Sequence, residues 1–298
     1  MNYWIWFATI KGLGPIQKKK LLDVYGTPEN IYNTKIDEIE ATGVLKNGIA
    51  EEIEKSKNVL LMKKYERYIQ KNNIHLINIT DENYPKLLKE IYDPPITLFC
   101  KGDITLLNQE AFAIIGCRNA TSYGNLMSKE IAYKLAKENI LIVSGLAKGI
   151  DVNAHRGALM AHGKTIAVLG CGVDIPYPTE NIGIYKEIIQ KGLVISEYIV
   201  GTKPEAGNFP ARNRIISGLT KGILVVEATQ KSGSMITVDF ALDQGRNVYA
   251  VPGNINSPNS VGTNELIKQG AKLVTSYEEI LEDIVWFLFI NHYFKPFL

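Results

Sequence analysis

Seven apolar runs recur in the later part of the chain: AFAIIG (111–116), ILIVSG (140–145), TIAVLG (165–170), LVISE (193–197), ILVVEA (223–228), NVYAVPG (247–253) and KLVTS (272–276). Each is continuous rather than alternating, as a strand buried on both faces requires, and a parallel sheet covered by helices provides that burial. Between the runs, segments such as NLMSKEIAYKLAKE (125–138) repeat apolar positions at helical spacing. Strand and helix alternating at this pitch predict an α/β fold built on a doubly wound, mostly parallel sheet.

Residues 1–66 break the pattern, being rich in lysine and glutamate, without comparable strands, and marked by two turn signals, GLGP (12–15) and ATGVLKNG (41–48). They predict a small helical bundle. GLGP suits either a plain helical turn or a hairpin that offers main-chain N–H groups to phosphates. Between bundle and sheet lies IHLINITDENYPKLLKEIYDPPITLFCKGD (74–103), strand-like at both ends and broken by Tyr-Pro and Pro-Pro; it is expected to extend the sheet at one edge. The expected division is a helical domain over 1–66, a sheet domain over 67–283 and a short apolar tail over 284–298.

Charge narrows the function. Lysine plus arginine total 33 against 31 acidic residues, a formal charge of +2, so polyanion binding needs a local patch rather than a global field. Only Arg67, Arg118, Arg156, Arg212, Arg214 and Arg246 are arginine, and two of the six fall in one short stretch, FPARNRIISGLT (209–220). The three cysteines, Cys100, Cys117 and Cys171, form no CxxC. Neither a disulfide framework nor a zinc site is expected, and a reducing cytoplasm fits. MNYWIWFATIKGLG reads as a first core helix rather than a signal peptide, because no basic residue precedes its apolar run. The late IVWFLFI is too short to span a bilayer.

In an open α/β sheet, ligands bind beyond the carboxyl ends of the strands. The first run exits into GCRNATSYG, with Arg118 in the loop and Thr121 or Ser122 as a helix cap; the second exits into SGLAKGID, with Ser144, Gly145, Lys148 and Gly149. The third exits into GCGVDIPYPTEN, where Tyr177 is available for stacking, the fourth into GNFPARNR, with Phe209, Arg212, Asn213 and Arg214, and the fifth into EATQKSGSMIT, with Lys231. Glycine turns let backbone N–H groups approach a ligand, and the cations converge on the same ends. Taken singly, Lys148 and Lys231 read as solvated charges, and His155 and His162 as packing or surface residues. Arg212 and Arg214 sit two apart and so point in different directions on a helix; Arg212 is favoured as the ligand, and Arg214 stays open between ligand and ion pair.

Catalytic signatures fail one by one. Gly116 and Gly124 have the wrong spacing for a dinucleotide fingerprint, and GKT (163–165) enters a strand instead of opening a helix. No metal cluster or carboxylate pair accompanies the glycine loops. Asp151 and Glu227 are acid–base candidates, Asp151 being better suited to starting a helix. Cys117 and Cys171 have no neighbouring histidine to activate them. Phosphate-cradling loops without catalytic groups suit a chain of phosphates, with Phe209 and Tyr177 stacking bases of a single strand.

The motifs DENYPKLLKEIYDPP with LFCKGD, IIGCRNATSYG, SGLAKGIDVNAH, KTIAVLGCGVDIPYPTEN, FPARNRIISGLT and EATQKSGSMITVDFALDQGRNVYAVPG together span about residues 81–253. In these the chain resembles the DprA/Smf (DNA-processing protein A) family. The resemblance implies an extended Rossmann-like domain preceded by a small helical (sterile-alpha-motif or helix–hairpin–helix-like) domain. It further implies a homodimer that binds single-stranded DNA, protects incoming strands and loads RecA recombinase during natural transformation, with no cofactor. Position by position, Arg118 matches the first glycine loop, Ser144, Gly145, Lys148 and Gly149 the phosphate-cradling turn, and Phe209, Arg212 and Asn213 the FPxRN stretch. Dimer and recombinase contacts are expected near TVDFALDQGRNVYA. The chain departs from the pattern at Cys117 and Cys171, at Thr179, where some relatives carry lysine, and in a tail too short for the winged-helix domain of many members. The alternative function is a nucleoside-monophosphate phosphoribohydrolase on a related fold, but KSGSMIT (231–237) lacks its PGGxGT turn and catalytic glutamate.

Overall fold

The computed structural model describes residues 2–46 and 48–284. Six helices come first: α1 (Tyr3–Thr9), α2 (Pro15–Tyr25), α3 (Pro28–Asn33), α4 (Ile36–Ala41), α5 (Ile49–Ser56) and α6 (Val59–Lys71). Their starts are locally encoded. Pro15 and Pro28 open α2 and α3, where a missing N–H costs nothing, and the Asn58 side chain caps α6 by accepting from the Leu61 amide. α6 runs five residues past position 66, where the lysine- and glutamate-rich stretch was expected to close, because Met62 and Ile69 keep one face of it buried.

The sheet follows, with strands β1 (His75–Asn78), β2 (Thr97–Gly102), β3 (Ala111–Ile115), β4 (Leu141–Ser144), β5 (Thr165–Val168), β6 (Leu193–Ser196), β7 (Gly222–Val225), β8 (Asn247–Ala250) and β9 (Lys272–Leu273). Their order is β1-β2-β6-β5-β4-β3-β7-β8-β9. β3 to β9 pair in parallel, whereas β1–β2 and β2–β6 are antiparallel, with Cys100 opposite Ile195. The segment broken by prolines thus extends one edge, and the single-turn helix α7 (Lys86–Lys89) bridges its two strands.

Each parallel step crosses over through a helix: α8 (Ser122–Lys137), α9 (Ile150–Met160), α10 (Ile182–Lys191), α11 (Asn208–Gly218), α12 (Gly233–Asp243) and α13 (Val261–Lys268), in that order. Alternate strand residues face opposite layers. Phe112 and Ile114 pack with Ile131 and Leu135 of α8 and Ala154 of α9, while Ala113 and Ile115 join Ile215 of α11 and Val238 of α12. Helices therefore cover both faces, and continuous apolar strands are the result. β9 departs from that expectation: both its residues are exposed, since an edge strand has one neighbour and little to cover it. The chain leaves β3 toward β4 on one side and returns to β7 on the other, which places a topological switch point between β3 and β7.

The bundle shares the sheet's core. Trp6, Ile10 and Leu13 belong to the same apolar cluster as Ile77, Leu98 and Ile195. Trp6 is fully buried, and its indole N–H donates to Ser56 Oγ at 2.7 Å, joining α1 to the end of α5. Among the described residues, no helix is long and apolar enough to cross a membrane. The reading of the C-terminal stretch beyond residue 284 lies outside the described residues. Trp6→Ala removes a large ring and leaves the Ser56 hydroxyl without its donor; it is expected to cost about 3–5 kcal/mol, measurable as a lowered midpoint in chemical denaturation.

Candidate functional site

Beyond the carboxyl ends of the parallel strands, three loops are tied together by main-chain bonds. The Cys117 amide, just past β3, donates to the Glu227 carbonyl past β7 at 2.8 Å, and the Ile150 amide at the start of α9 donates back to the Cys117 carbonyl at 3.4 Å. Gly149 makes this closure possible. Its φ is +75°, and a Cβ there would stand 2.4 Å from the Cys117 carbonyl oxygen and 2.6 Å from that of Arg118. Only glycine tolerates both the left-handed backbone and the contact. The SGLAKGID turn is thus shaped to lock against the Arg118 loop.

Arg212 holds the next pair of loops. On α11 it is 5 % exposed, and its Nη1 donates to the Gly145 carbonyl at 2.9 Å and to the Val168 carbonyl at the end of β5. Asn213 steadies the fork by accepting from Arg212 Nε at 3.1 Å. Gly145 is small because Arg212 and Asp151 crowd it: a Cβ would meet Arg212 Nη2 and Asp151 Oδ2, each at 2.8 Å. The Phe209 ring lies beside both guanidiniums of the site, its centroid 5.7 Å from Arg118 Cζ and 5.9 Å from Arg212 Cζ. Tyr177 packs on the same ring at 5.4 Å, tilted by 34°, and is 39 % exposed. Arg118 is exposed. Among the described residues, no carboxylate lies within 4.0 Å of either Arg118 or Arg212. Burial accordingly lowers the Arg212 pKa, Asp151 partly restoring it.

Arg214 differs in every respect. It points away from Arg212 along α11 and is fully engaged: Nη1 and Nη2 grip the two Glu197 oxygens at 2.7 Å each, and Nε lies 3.0 Å from Asp93 Oδ2. Burial alone would lower its pKa, but the hydrogen bonds and charge of Glu197 raise it above the ordinary value. Of the two alternatives left by the sequence, the structure gives Arg214 the ion pair.

The remaining expected residues divide similarly. Ser144 is fully buried, its hydroxyl donating to the Ile114 carbonyl at 2.6 Å beside the Asp151 carboxylate. Lys148 stands at the rim, its ammonium 2.6 Å from Glu180 Oε1. Nothing in the sequence pointed to Glu180, since the pair is 32 positions apart. Lys231 is exposed on the exit loop of β7, which reaches the cluster through the Gly233 carbonyl and Asn213 Nδ2, 3.4 Å apart. The structure therefore brings Arg118, Tyr177, Phe209, Arg212 and Asn213 into one cluster beside the Gly145 turn, sets Lys148 and Lys231 at its margins, and turns Arg214 and Ser144 inward.

The candidate acids and thiols are structurally committed. Glu227 accepts from the Thr121 hydroxyl at 2.5 Å and the Thr121 amide at 2.9 Å, while Thr121 caps α8. Asp151 Oδ2 accepts from the amides of Gly145 at 3.2 Å and Ala147 at 3.4 Å, and its pKa is raised by burial. Burial, assisted by Glu227, pushes the Cys117 thiol up to about 12, and burial pushes Cys171 up to about 11. His155 is neutral, driven down to about 3 by burial and by Arg212. Among the described residues no group of His, Cys, Asp and Glu is placed to hold a metal.

These contacts separate stability from surface chemistry. Arg214→Leu strands Glu197 and Asp93 and is expected to destabilise by about 3–5 kcal/mol, whereas Arg118→Ala should change stability by less than about 0.5 kcal/mol. Urea denaturation of the two variants side by side checks the contrast. Gly149→Ala should lower stability by more than about 1 kcal/mol through backbone strain, and the same titration reads it.

Comparison with known proteins places the chain. The family described as "DNA recombination-mediator protein A" matches residues 75–285. The DNA processing protein DprA of Bacillus subtilis is 41 % identical over 249 residues, covering 83 % of this chain and 82 % of that protein. The Synechocystis protein Smf is 36 % identical over 95 % of this chain and 72 % of its own length. Among solved structures, DNA processing protein A from Streptococcus pneumoniae superposes with a TM-score of 0.84 at 39 % identity, covering 95 % of this chain and 97 % of the other. The corresponding protein from Helicobacter pylori, described for its single-stranded DNA binding mode, gives a TM-score of 0.65 at 35 % identity over 71 % of this chain and 95 % of the other. This chain belongs to the DNA recombination-mediator protein A family.

Proposed function

We propose that this chain binds single-stranded DNA across the carboxyl ends of β3, β4, β5 and β7 and serves as a recombination mediator without catalysing a reaction. The observation that carries this reading is the pair of guanidiniums, Arg118 and Arg212, set against one Phe209 ring with, among the described residues, no carboxylate within 4.0 Å of either. Arg118 is exposed, and Arg212, whose charge Asp151 only partly offsets, adds to the positive potential beside it, so a phosphodiester group would gain charge-assisted hydrogen bonds at Arg118. Tyr177 and Phe209 supply ring faces on which bases of any identity stack. The matched Helicobacter pylori protein, described for its single-stranded DNA binding, supports the same ligand.

The non-catalytic part rests on Asp151 and Glu227 being consumed by main-chain and cap contacts, and on thiols kept protonated by burial. Binding is assigned to the sheet domain (67–283), with the helical unit (1–66) and the tail (284–298) outside it. By family resemblance the proposal extends to a cytoplasmic homodimer that protects incoming single strands and loads RecA recombinase during natural transformation.

Fluorescence anisotropy with a labelled single strand and a duplex of equal length, across a salt series, tests the binding. Single-strand preference is expected, with log affinity falling by about 0.7 per neutralised phosphate for each decade of salt. Arg118→Ala should weaken binding by about tenfold and flatten that slope by about 0.7. Phe209→Ala should lose about 1–3 kcal/mol per stacked base. Absence of binding at low salt, or binding indifferent to both substitutions, overturns the reading.

A further inference from the structure

The outer face of α6 carries a row of cations that the Phe209 cluster does not use. Lys64, Arg67 and Lys71 follow one another at steps of three and four, with Leu60 one turn ahead. At 3.6 residues per turn they form a single stripe, opposite the side on which Met62 and Ile69 are buried. Lys63 flanks it. All four cations are exposed, and among the described residues none has a hydrogen bond or a carboxylate within 4.0 Å.

Helix lysines elsewhere are answered by an acid one turn away: Lys55 by Glu51, Lys134 by Glu130 and Lys191 by Glu187. On α6 the residue one turn away is another cation, since Lys63, Arg67 and Lys71 are spaced four apart. Like charges so placed repel and work against the helix. Lys71, in the last turn, gains from the helix dipole, whereas Lys64 and Arg67 lie in the middle, beyond its reach. Glu66, the single acid of α6, is half-buried and shares the side of Met62 and Ile69.

Position links the stripe to the strand exits. The Tyr68 hydroxyl donates to Asp174 Oδ2 at 3.1 Å, and Asp174 lies in the β5 exit loop, three residues before Tyr177. That acid is further engaged by the Gly201 amide at 2.9 Å. α6 therefore borders the loop that delivers Tyr177 to Phe209. Tyr68, one turn after Lys64 and 41 % exposed, offers a ring face at the junction. From Lys64 to Lys71 the helix rises about 10 Å, a length over which one strand of stacked DNA presents about three phosphates.

We propose that α6 is a second contact surface for single-stranded DNA, where Lys64, Arg67 and Lys71 neutralise phosphates of a strand that continues from the Phe209 cluster past the β5 exit. A basic row along one helix face attracts a polyanion without reading its bases, and a bound anion relieves the repulsion along the row. The proposal rests on the DNA-binding reading above and extends that surface from the sheet onto the helical bundle.

Fluorescence anisotropy of the full chain with a labelled single strand of about 30 nucleotides, twice the larger single-strand site sizes, tests it across a salt series. The triple variant Lys64→Ala, Arg67→Ala, Lys71→Ala is expected to bind at least tenfold more weakly at low salt, with the slope of log affinity against log salt flattened by about 2. Lys64→Arg, Arg67→Lys, Lys71→Arg together should restore binding. A control of equal charge, Lys137→Ala, Lys164→Ala, Lys191→Ala, removes exposed lysines next to the amino ends of β4, β5 and β6 and should bind like the unaltered protein. The α6 variant should keep its urea midpoint, since it loses repulsion rather than packing. Unchanged binding in the α6 variant overturns the inference and leaves the stripe to an acidic protein surface; if Arg118→Ala still weakens binding, the site at the strand exits stands. An equal loss in the control also overturns the inference, as a general charge effect. If the unaltered protein binds no single strand, the inference falls together with the reading on which it rests.

Discussion

The grip of Arg212 on the carbonyls of Gly145 and Val168 is the constraint around which the site is organised. One planar guanidinium ties the ends of two neighbouring strands to the helix that follows β6. The Gly145 carbonyl lies just past β4 and the Val168 carbonyl at the last residue of β5, where the ladders end, and a side chain supplies their donor. Arginine suits the position because its donors diverge in a fixed plane. Nη1 takes the carbonyls, Nε takes Asn213, and the flat face is left to Phe209. A lysine would carry the charge but could not hold two strand ends, Asn213 and an aromatic ring in one geometry.

This explains why the cations of one short stretch have opposite fates. Arg212 and Arg214 share a helix, and the angular step between them turns one to the strand exits and the other to Glu197 and Asp93. The carboxylates neutralise Arg214 and fix the helix to the β6 exit and the proline-rich segment. The carbonyls hold Arg212 without cancelling its charge. Structural support and retained charge are separated by two residues of sequence.

The strands were readable because parallel strands under two helical layers are apolar without interruption, as in AIIG and TIAVLG. Glycine turns and cations at strand exits followed from the same reading, since such exits always collect at one edge of the sheet. Partner choice was not readable. Whether Arg214 meets a phosphate or Glu197 depends on a side chain 17 positions away, and Lys148 on one 32 positions away. Ser144 was not readable for another reason: as the last residue of β4 it shares the face of Ile142, toward α8 and α9, where its hydroxyl reaches the Ile114 carbonyl. β9 reads like the other strands but lies at the edge, and neighbours, not sequence, set burial there.

The pairing of Lys148 with Glu180 gives the rim of the cluster an intramolecular counter-ion. The two side chains are 54 % and 60 % exposed, and a bond so open to water contributes little to folding, about 0–1 kcal/mol. Its consequence lies in exchange. An incoming anion must displace a carboxylate that is already in place, and that carboxylate returns as soon as the anion leaves. A bond worth so little is open part of the time, so the ammonium alternates between Glu180 and water, and a stray polyanion gains only slightly less there than at a free lysine. The pair thus lowers an anion's gain at this rim by no more than about 1 kcal/mol, a small difference at one contact that adds to others only when several exits are engaged at once.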